Sequence, residues 1–451
     1  EMIITVIIIS FIIHIANAVC PPFDTLTTPE LLGAVDPACF QMADKSSLSL
    51  IPANSCSGFT KAQSSQLASY SSRYDACSGL SRGCIHSFSI EGCSGIGSSC
   101  LGSITSDSIS GFNSSQIHVI SSESFSGISK SNIGGLGDSC SGLTSEQVSQ
   151  LASASSRYDT CVQLTSACGA AVTASGSSGF TSRCFSFVSP QFLKSIGIEP
   201  LKNVPSEAFQ GLDKTNTVGL GANCAGLTKG QAEQIGFMSS KYDACSGISE
   251  DCGKSISFEG ASGLTSKCGS FIPKLTISAM PAPQVNALGD SLFSGITKEN
   301  IAGFGSNRAG LKSSQVQNLA TLSSKYDACS GLTPECGAAI TASGAAGFTD
   351  KCFSFAPASF FDKIDSVSLN SVPESAFSGL SAESIKGFGN CCSGIRKEQA
   401  AAIATMSSKY DACKGFLPKC AKVMSLFGVS GLTGGCVSFL SSEFISTLNS
   451  D

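Results

Sequence analysis

Five copies of one string, with no residue gained or lost between them, constrain this chain more than any other feature. Ser-Ser-Arg/Lys-Tyr-Asp recurs at Tyr74, Tyr158, Tyr242, Tyr326 and Tyr410, a step of 84 residues each time. Three cysteine columns keep the same step. They are Cys77, Cys161, Cys245, Cys329, Cys413; then Cys84, Cys168, Cys252, Cys336, Cys420; then Cys100, Cys184, Cys268, Cys352, Cys436. A fourth column, Cys56, Cys140, Cys224, Cys392, is broken only at Arg308. A fixed step of this kind is the signature of a repeat architecture. The implied divisions are a half-repeat cap over 19–55, then repeats over 56–139, 140–223, 224–307 and 308–391. A truncated fifth repeat, 392–451, forms the C-terminal cap.

A shorter rhythm runs inside each copy. Ser/Ala-Gly-Leu/Ile/Phe-Thr/Ser returns about every 15 to 21 residues, as in Phe377-Ser-Gly-Leu380 and Val429-Ser-Gly-Leu432. We read its Gly as the left-handed residue that ends a short helix, and its Thr or Ser as the cap of the next. Thr144-Ser-Glu-Gln147 reads as a capping box. One helix per copy is longer. In the second it runs from Ser145 to Tyr158 with an apolar stripe at Val148, Leu151, Ala154 and Tyr158. The stripe returns at Val316, Leu319, Leu322, Tyr326 and at Ala400, Ile403, Met406, Tyr410. The others are short: Pro334–Ala342, Pro357–Ile364, Pro373–Phe377 and Ala382–Lys386. Helices of that length are not stable alone and must stack. The expected fold is all-α, a tandem-repeat solenoid of mainly short helices in five 84-residue units, stapled by disulfides. The alternative is a leucine-rich-repeat-like α/β solenoid, suggested by a short strand before Asn370 and the turn Pro373-Glu-Ser-Ala-Phe-Ser-Gly-Leu380.

The N-terminus reads as an address. Met2 to Ala18 is an apolar run closing on Ala16-Asn17-Ala18, the small-x-small pattern of a signal-peptide cleavage site. We read 2–18 as a signal peptide, Glu1 as an upstream translated codon, and the mature chain as secreted from Val19, with no membrane span after cleavage. All 23 Cys lie beyond that point, and in an oxidising compartment they are most simply disulfides.

Connectivity follows from reach. The first two Cys of each copy flank the long helix, which spans about 21 Å, so they cannot meet. The expected pairs are Cys77–Cys84, Cys161–Cys168, Cys245–Cys252, Cys329–Cys336 and Cys413–Cys420 across a turn. The remaining partners give Cys56–Cys100, Cys140–Cys184, Cys224–Cys268 and Cys392–Cys436. Arg308 leaves Cys352 to pair with Cys391, and Cys20–Cys39 closes the cap. Cys93 is left over, as a free thiol or a bridge to another chain. Zinc is disfavoured, because no Cys-x2-Cys knuckle occurs and only three His are present.

Nothing in the chain assembles an active site. His86 and His118 do not repeat, and no nucleophile–base pair, phosphate loop or calcium loop can be argued. We expect no catalytic residue, cofactor or metal. The net charge of −5 speaks against a nucleic-acid partner. The Tyr-Asp pairs read as structural, Tyr closing the long helix and Asp bonding in the turn, rather than as one acidic ligand position per copy. Asn113-Ser-Ser115 is the single N-glycosylation sequon, so Asn113 and glycans are candidates. The expected function is a secreted, cysteine-rich structural protein of an extracellular fibre, matrix, wall or appendage. Its partners would be copies of itself, head to tail, or other wall components. The alternative is a cell-surface adhesin or ligand-binding solenoid.

Overall fold

The structure, a computed structural model, describes residues 20–448; the signal-peptide reading of 2–18 lies outside them. The chain forms two compact units, 1–211 and 212–451. Among the described residues all regular structure is helical, either short α-helices or 3-10 turns. The one long helix of each repeat keeps the 84-residue step. It is Lys61–Tyr74 and Ser145–Tyr158 in the first unit, and Lys229–Tyr242, Ser313–Tyr326 and Lys397–Tyr410 in the second. Val148, Leu151, Val316, Leu319, Ala400 and Ile403 of its stripe are buried. The stripe's later members lie outside the described side chains.

The α/β alternative is overturned. Ser366–Ser371, where a strand was conceivable, is a helix, followed by a 3-10 turn over Glu374–Gly379. Asp365 caps that helix by accepting the amides of Val367 and Ser368. The other short helices are shorter than their patterns suggest. Pro334–Ala339 and Ala342–Ala345 replace one predicted helix, Ala358–Phe361 replaces another, and Ala382–Ile385 a third.

The abundance of Ser and Thr has a local cause. Ser81, Ser89, Thr105 and Ser189 each cap a four- to six-residue helix by accepting an amide three residues on. A chain that starts a helix so often needs many small hydroxyl caps.

Helix ends differ from the expected left-handed Gly. In Ser126-Gly127-Ile128 the turn closes on Ile128, extended (φ −61°, ψ 135°) and buried. Gly127 is needed for a different reason: a Cβ there would overlap the carbonyl oxygen of Ser98, on chain that lies 29 residues earlier. Left-handed Gly forms a separate column, Gly137, Gly221, Gly305 and Gly389, again at the 84-residue step.

Side-chain amides show how successive stretches of chain lie together. In the first unit Gln63 Nε2 donates to the carbonyls of Leu32 and Val35, at 2.9 and 2.7 Å. Gln116 Nε2 does the same to Ile85, His86 and Phe88. Asn132 Nδ2 reaches Leu101, Gly102 and Ile104. In the second unit Gln315 reaches Val285, Asn286 and Leu288, and Gln399 reaches Leu369, Asn370 and Val372. Donor and acceptor are 27 to 31 residues apart in each case. That is one third of 84, so each repeat holds three successive turns of chain. Helix-end carbonyls, which have no partner in their own helix, are taken at these places by a side-chain amide about 28 residues on, and at others by a hydroxyl, as Ser108 takes Leu80 and Ser368 takes Ile340. The same glutamines close their own capping boxes: Thr144 N–H donates to Gln147 Oε1, while Gln147 Nε2 reaches Ile117 and Ile120.

Apolar side chains fill the space between turns. Phe40, Phe59 and Phe88 form a ladder with centroids 5.4 and 4.6 Å apart in the first unit. Phe353 packs on Phe377, and Phe361 on Phe388, in the second.

Candidate functional site

The chemistry that distinguishes this chain is its sulfur, and the geometry redraws the expected pairings. Ten disulfides are present among the described residues. Cys20 is joined to Cys39. Elsewhere the first Cys of a repeat pairs with the third: Cys56–Cys84, Cys140–Cys168, Cys224–Cys252 and Cys392–Cys420. The second pairs with the fourth: Cys77–Cys100, Cys161–Cys184, Cys245–Cys268, Cys329–Cys352 and Cys413–Cys436.

The pairs Cys77–Cys84, Cys161–Cys168, Cys245–Cys252, Cys329–Cys336 and Cys413–Cys420 are therefore corrected. So are Cys56–Cys100, Cys140–Cys184, Cys224–Cys268, Cys352–Cys391 and Cys392–Cys436. The reason is the turn of about 28 residues. Cys77 and Cys84 are neighbours in sequence, but Cys84 points back to Cys56, 28 residues earlier, and Cys77 forward to Cys100, 23 residues later. Each staple crosses from one turn of chain to the next, with Cα atoms 5.1 to 5.5 Å apart.

Three cysteines are free and buried: Cys93, Cys336 and Cys391. Burial pushes the thiols of Cys93 and Cys391 up to about 12, so both stay protonated at neutral pH. A fully buried Cys93 cannot reach a second chain, which removes the intermolecular bridge. Cys391 donates to the Phe388 carbonyl and lies outside the disulfide set.

Cys336 is the true orphan of the Arg308 break. Arg308 takes the place of a half-cystine, and its side chain is 1% exposed. Its Nη2 donates to the carbonyl of Ile301, its guanidinium lies 5.9 Å from the Phe304 ring centroid, and its Nε is buried without a hydrogen-bond partner. Burial lowers the Arg308 pKa from its ordinary value, and the charge interaction with Cys336 opposes this. Thr333 Oγ1 donates to the Cys336 sulfur at 3.2 Å.

The Asp of the Tyr-Asp motif has a backbone role. Asp75, Asp159, Asp243, Asp327 and Asp411 are the described non-glycine residues with positive φ, between 50 and 58°. Each links the long helix to the 3-10 turn that carries the second Cys, and none makes a side-chain cap bond there. The Asp does accept hydrogen bonds in that turn, through its carbonyl from Ser78, Ser246 and Ser330 Oγ and, at Asp411, through its carboxylate from Lys414 Nζ; beyond that it takes the left-handed region, which Asp tolerates as Asn and Gly do. The motif's Tyr side chains lie outside the described ones.

Asn113 is exposed and caps the helix Ser114–Val119, with Oδ1 accepting from Gln116 N. A glycan joined to Nδ2 leaves that bond in place. Among the described residues no group of three or more His, Cys, Asp or Glu is placed to hold a metal ion, and no helix is long and apolar enough to cross a membrane. The chain matches no family model and no curated protein.

Proposed function

We propose that this is a secreted structural protein: a disulfide-stapled solenoid that forms or coats an extracellular fibre, wall or appendage. In this reading the divisions at 56, 140, 224, 308 and 392 are repeat boundaries, with 19–55 and 392–451 as caps. The observation that carries it is the doubled link between turns. An amide on helix-end carbonyls and a disulfide recur at each repeat of 84 residues, and the side chains that recur are spent on holding turns together. Ten disulfides fit an oxidising, extracellular location.

An adhesin or ligand-binding solenoid is the second reading. It draws on Phe237 and Phe258, which stand 58% and 57% exposed in the third repeat, where Lys267 Nζ lies 4.9 Å from the Phe237 ring centroid. Exposed aromatic side chains of that kind suit a partner surface.

Expression in a eukaryotic secretory host tests the first reading. The expected product is in the medium and begins at Val19. In native buffer it resists trypsin despite 28 Lys and Arg until a reductant is added. Retention in the cell with reduced thiols would overturn it.

A further inference from the structure

Resting on the secreted reading, we infer that Asn113 carries an N-linked glycan whose first sugars seat in a groove beside it. The acceptor is exposed, and the helix it starts, Ser114–Val119, uses its other atoms. Asn113 Oδ1 accepts from the Gln116 backbone N–H, and the Asn113 backbone N–H donates to Gln116 Oε1. Neither bond involves Nδ2, the atom that takes the sugar, so the capping box and the modification coexist. Nor does a helix at this place need an asparagine to start it. One, two and three repeats on, the same position holds Gly197, Pro281 and Asp365. The helices after Gly197 and Pro281 begin with no side-chain cap bond at all.

The groove has a volume of about 400 Å³ and is lined by Ile90, Ser115, His118, Val119 and Ser141, among others. Its middle is the helix Ser114–Val119, which packs on Ile90–Cys93 on one side and on the turn holding Gly142 on the other. Asn113 stands at the head of that middle helix, next to the lining residues Ser114 and Ser115, so a sugar joined to Nδ2 starts at the rim. The lining suits it. Ile90 is apolar and 46% exposed, and Val119 is half-buried. Ser115, His118 and Ser141 are polar and exposed. A pyranose ring turns its C–H face to the first pair and its hydroxyl and N-acetyl groups to the others. No Asp, Glu, Lys or Arg is among the lining residues. The second repeat, which lacks the acceptor, has Glu199 and Lys202 where Ser115 and His118 stand.

Transfer takes place on the chain as it enters the secretory compartment, and the donor is an oligosaccharide on a lipid pyrophosphate. The bond from sugar C1 to Nδ2 forms, the C1–O bond to pyrophosphate breaks, the amide gives up one proton, and the lipid pyrophosphate leaves. The folded structure then holds the first sugars beside the point of attachment.

The full chain, expressed in a eukaryotic secretory host and collected from the medium, tests this beside Ser115→Ala, which abolishes the sequon and leaves both capping bonds. After reduction and cleavage at Glu, the wild-type peptide Gly92–Glu123 is expected to carry N-acetylglucosamine. A peptide N-glycosidase is expected to release it and turn Asn113 into aspartate. Hydrogen exchange on the native proteins reads the seating. Amides of Ile90–Cys93 and Ser114–Val119 are expected to exchange about five-fold more slowly in the wild type than in Ser115→Ala, while those of the second unit exchange alike. Secreted protein with an unmodified Asn113 would overturn the inference and leave the secreted reading standing. A glycan without slower exchange at those amides would equally overturn it, since the sugar would then point away from the groove. Retention in the cell with reduced thiols counts against the secreted reading itself, and the inference falls with it.

Discussion

Arg308→Cys is expected to close an eleventh disulfide with Cys336 and to stabilise the second unit by about 3–4 kcal/mol, from the unfolded-state entropy lost on closing a loop of this length. The place is prepared. In the other repeats the same two positions hold half-cystines 28 residues apart in sequence, with Cα atoms 5.1 to 5.3 Å apart. The substitution also removes a buried guanidinium whose Nε has no partner, a burden of its own. Two measurements check it. Thiol counting in denaturant without reductant should fall from three free cysteines to two. The thermal midpoint of the second unit should rise. Four free thiols, the three of the wild type and the new one, or a lower midpoint, would show that Arg308 and Cys336 are not held as the half-cystines are.

Gly127→Ala is expected to cost about 3 kcal/mol, the upper range for forcing an extra methyl into a packed interior. Its Cβ would overlap the Ser98 carbonyl oxygen, a backbone atom that cannot rotate aside, so two turns of chain must separate. Gly137→Ala is the informative contrast. Gly137 has φ +44° with nothing within 4 Å of a built Cβ, so the substitution meets only backbone strain, about 1–2 kcal/mol. Gly137→Asn should gain nothing over Ala, because with ψ −128° the position lies outside the left-handed helical basin that Asn tolerates. Denaturant unfolding of the three variants checks the order. Equal losses at Gly127 and Gly137 would mean that the turns are not in backbone contact.

These contrasts show where the sequence was legible. The 84-residue step, the long helix and its buried stripe, and the capping box at Thr144–Gln147 could all be read from spacing, because each is a local pattern repeated without gaps. The turn of about 28 residues could not. Its interlocking residue is Gln at 116, Asn at 132 and Ser at 368, so the period is one of hydrogen-bond geometry and not of residue type. Missing it led directly to the wrong disulfides. With 84 residues taken as one unit, Cys77 and Cys84 were the natural neighbours. With three turns in the same 84, they belong to one layer and serve opposite neighbours.

The Gly in Ser-Gly-Leu was misread for a related reason. Sequence shows that a Cβ is excluded, and does not show whether a dihedral angle or an approaching carbonyl excludes it. The Asp after Tyr was the converse case. Its positive φ was hidden because Asp is common both as a hydrogen-bond acceptor in turns and as a left-handed residue. At Arg308 the break in the column was visible. Which cysteine it orphaned depended on the pairing, so Cys352 was named and Cys336 was the thiol left free.

The central claim is that successive turns of about 28 residues are stapled one to the next, and disulfide mapping of the unreduced protein tests it most directly. After unfolding in denaturant with the disulfides intact, trypsin with a Glu-specific protease isolates Cys56 in Ser46–Lys61, Cys77 in Tyr74–Arg82 and Cys84 in Gly83–Glu91. The account predicts that Ser46–Lys61 is recovered joined to Gly83–Glu91. Recovery of Tyr74–Arg82 joined to Gly83–Glu91 would place both cysteines in one local loop and contradict it.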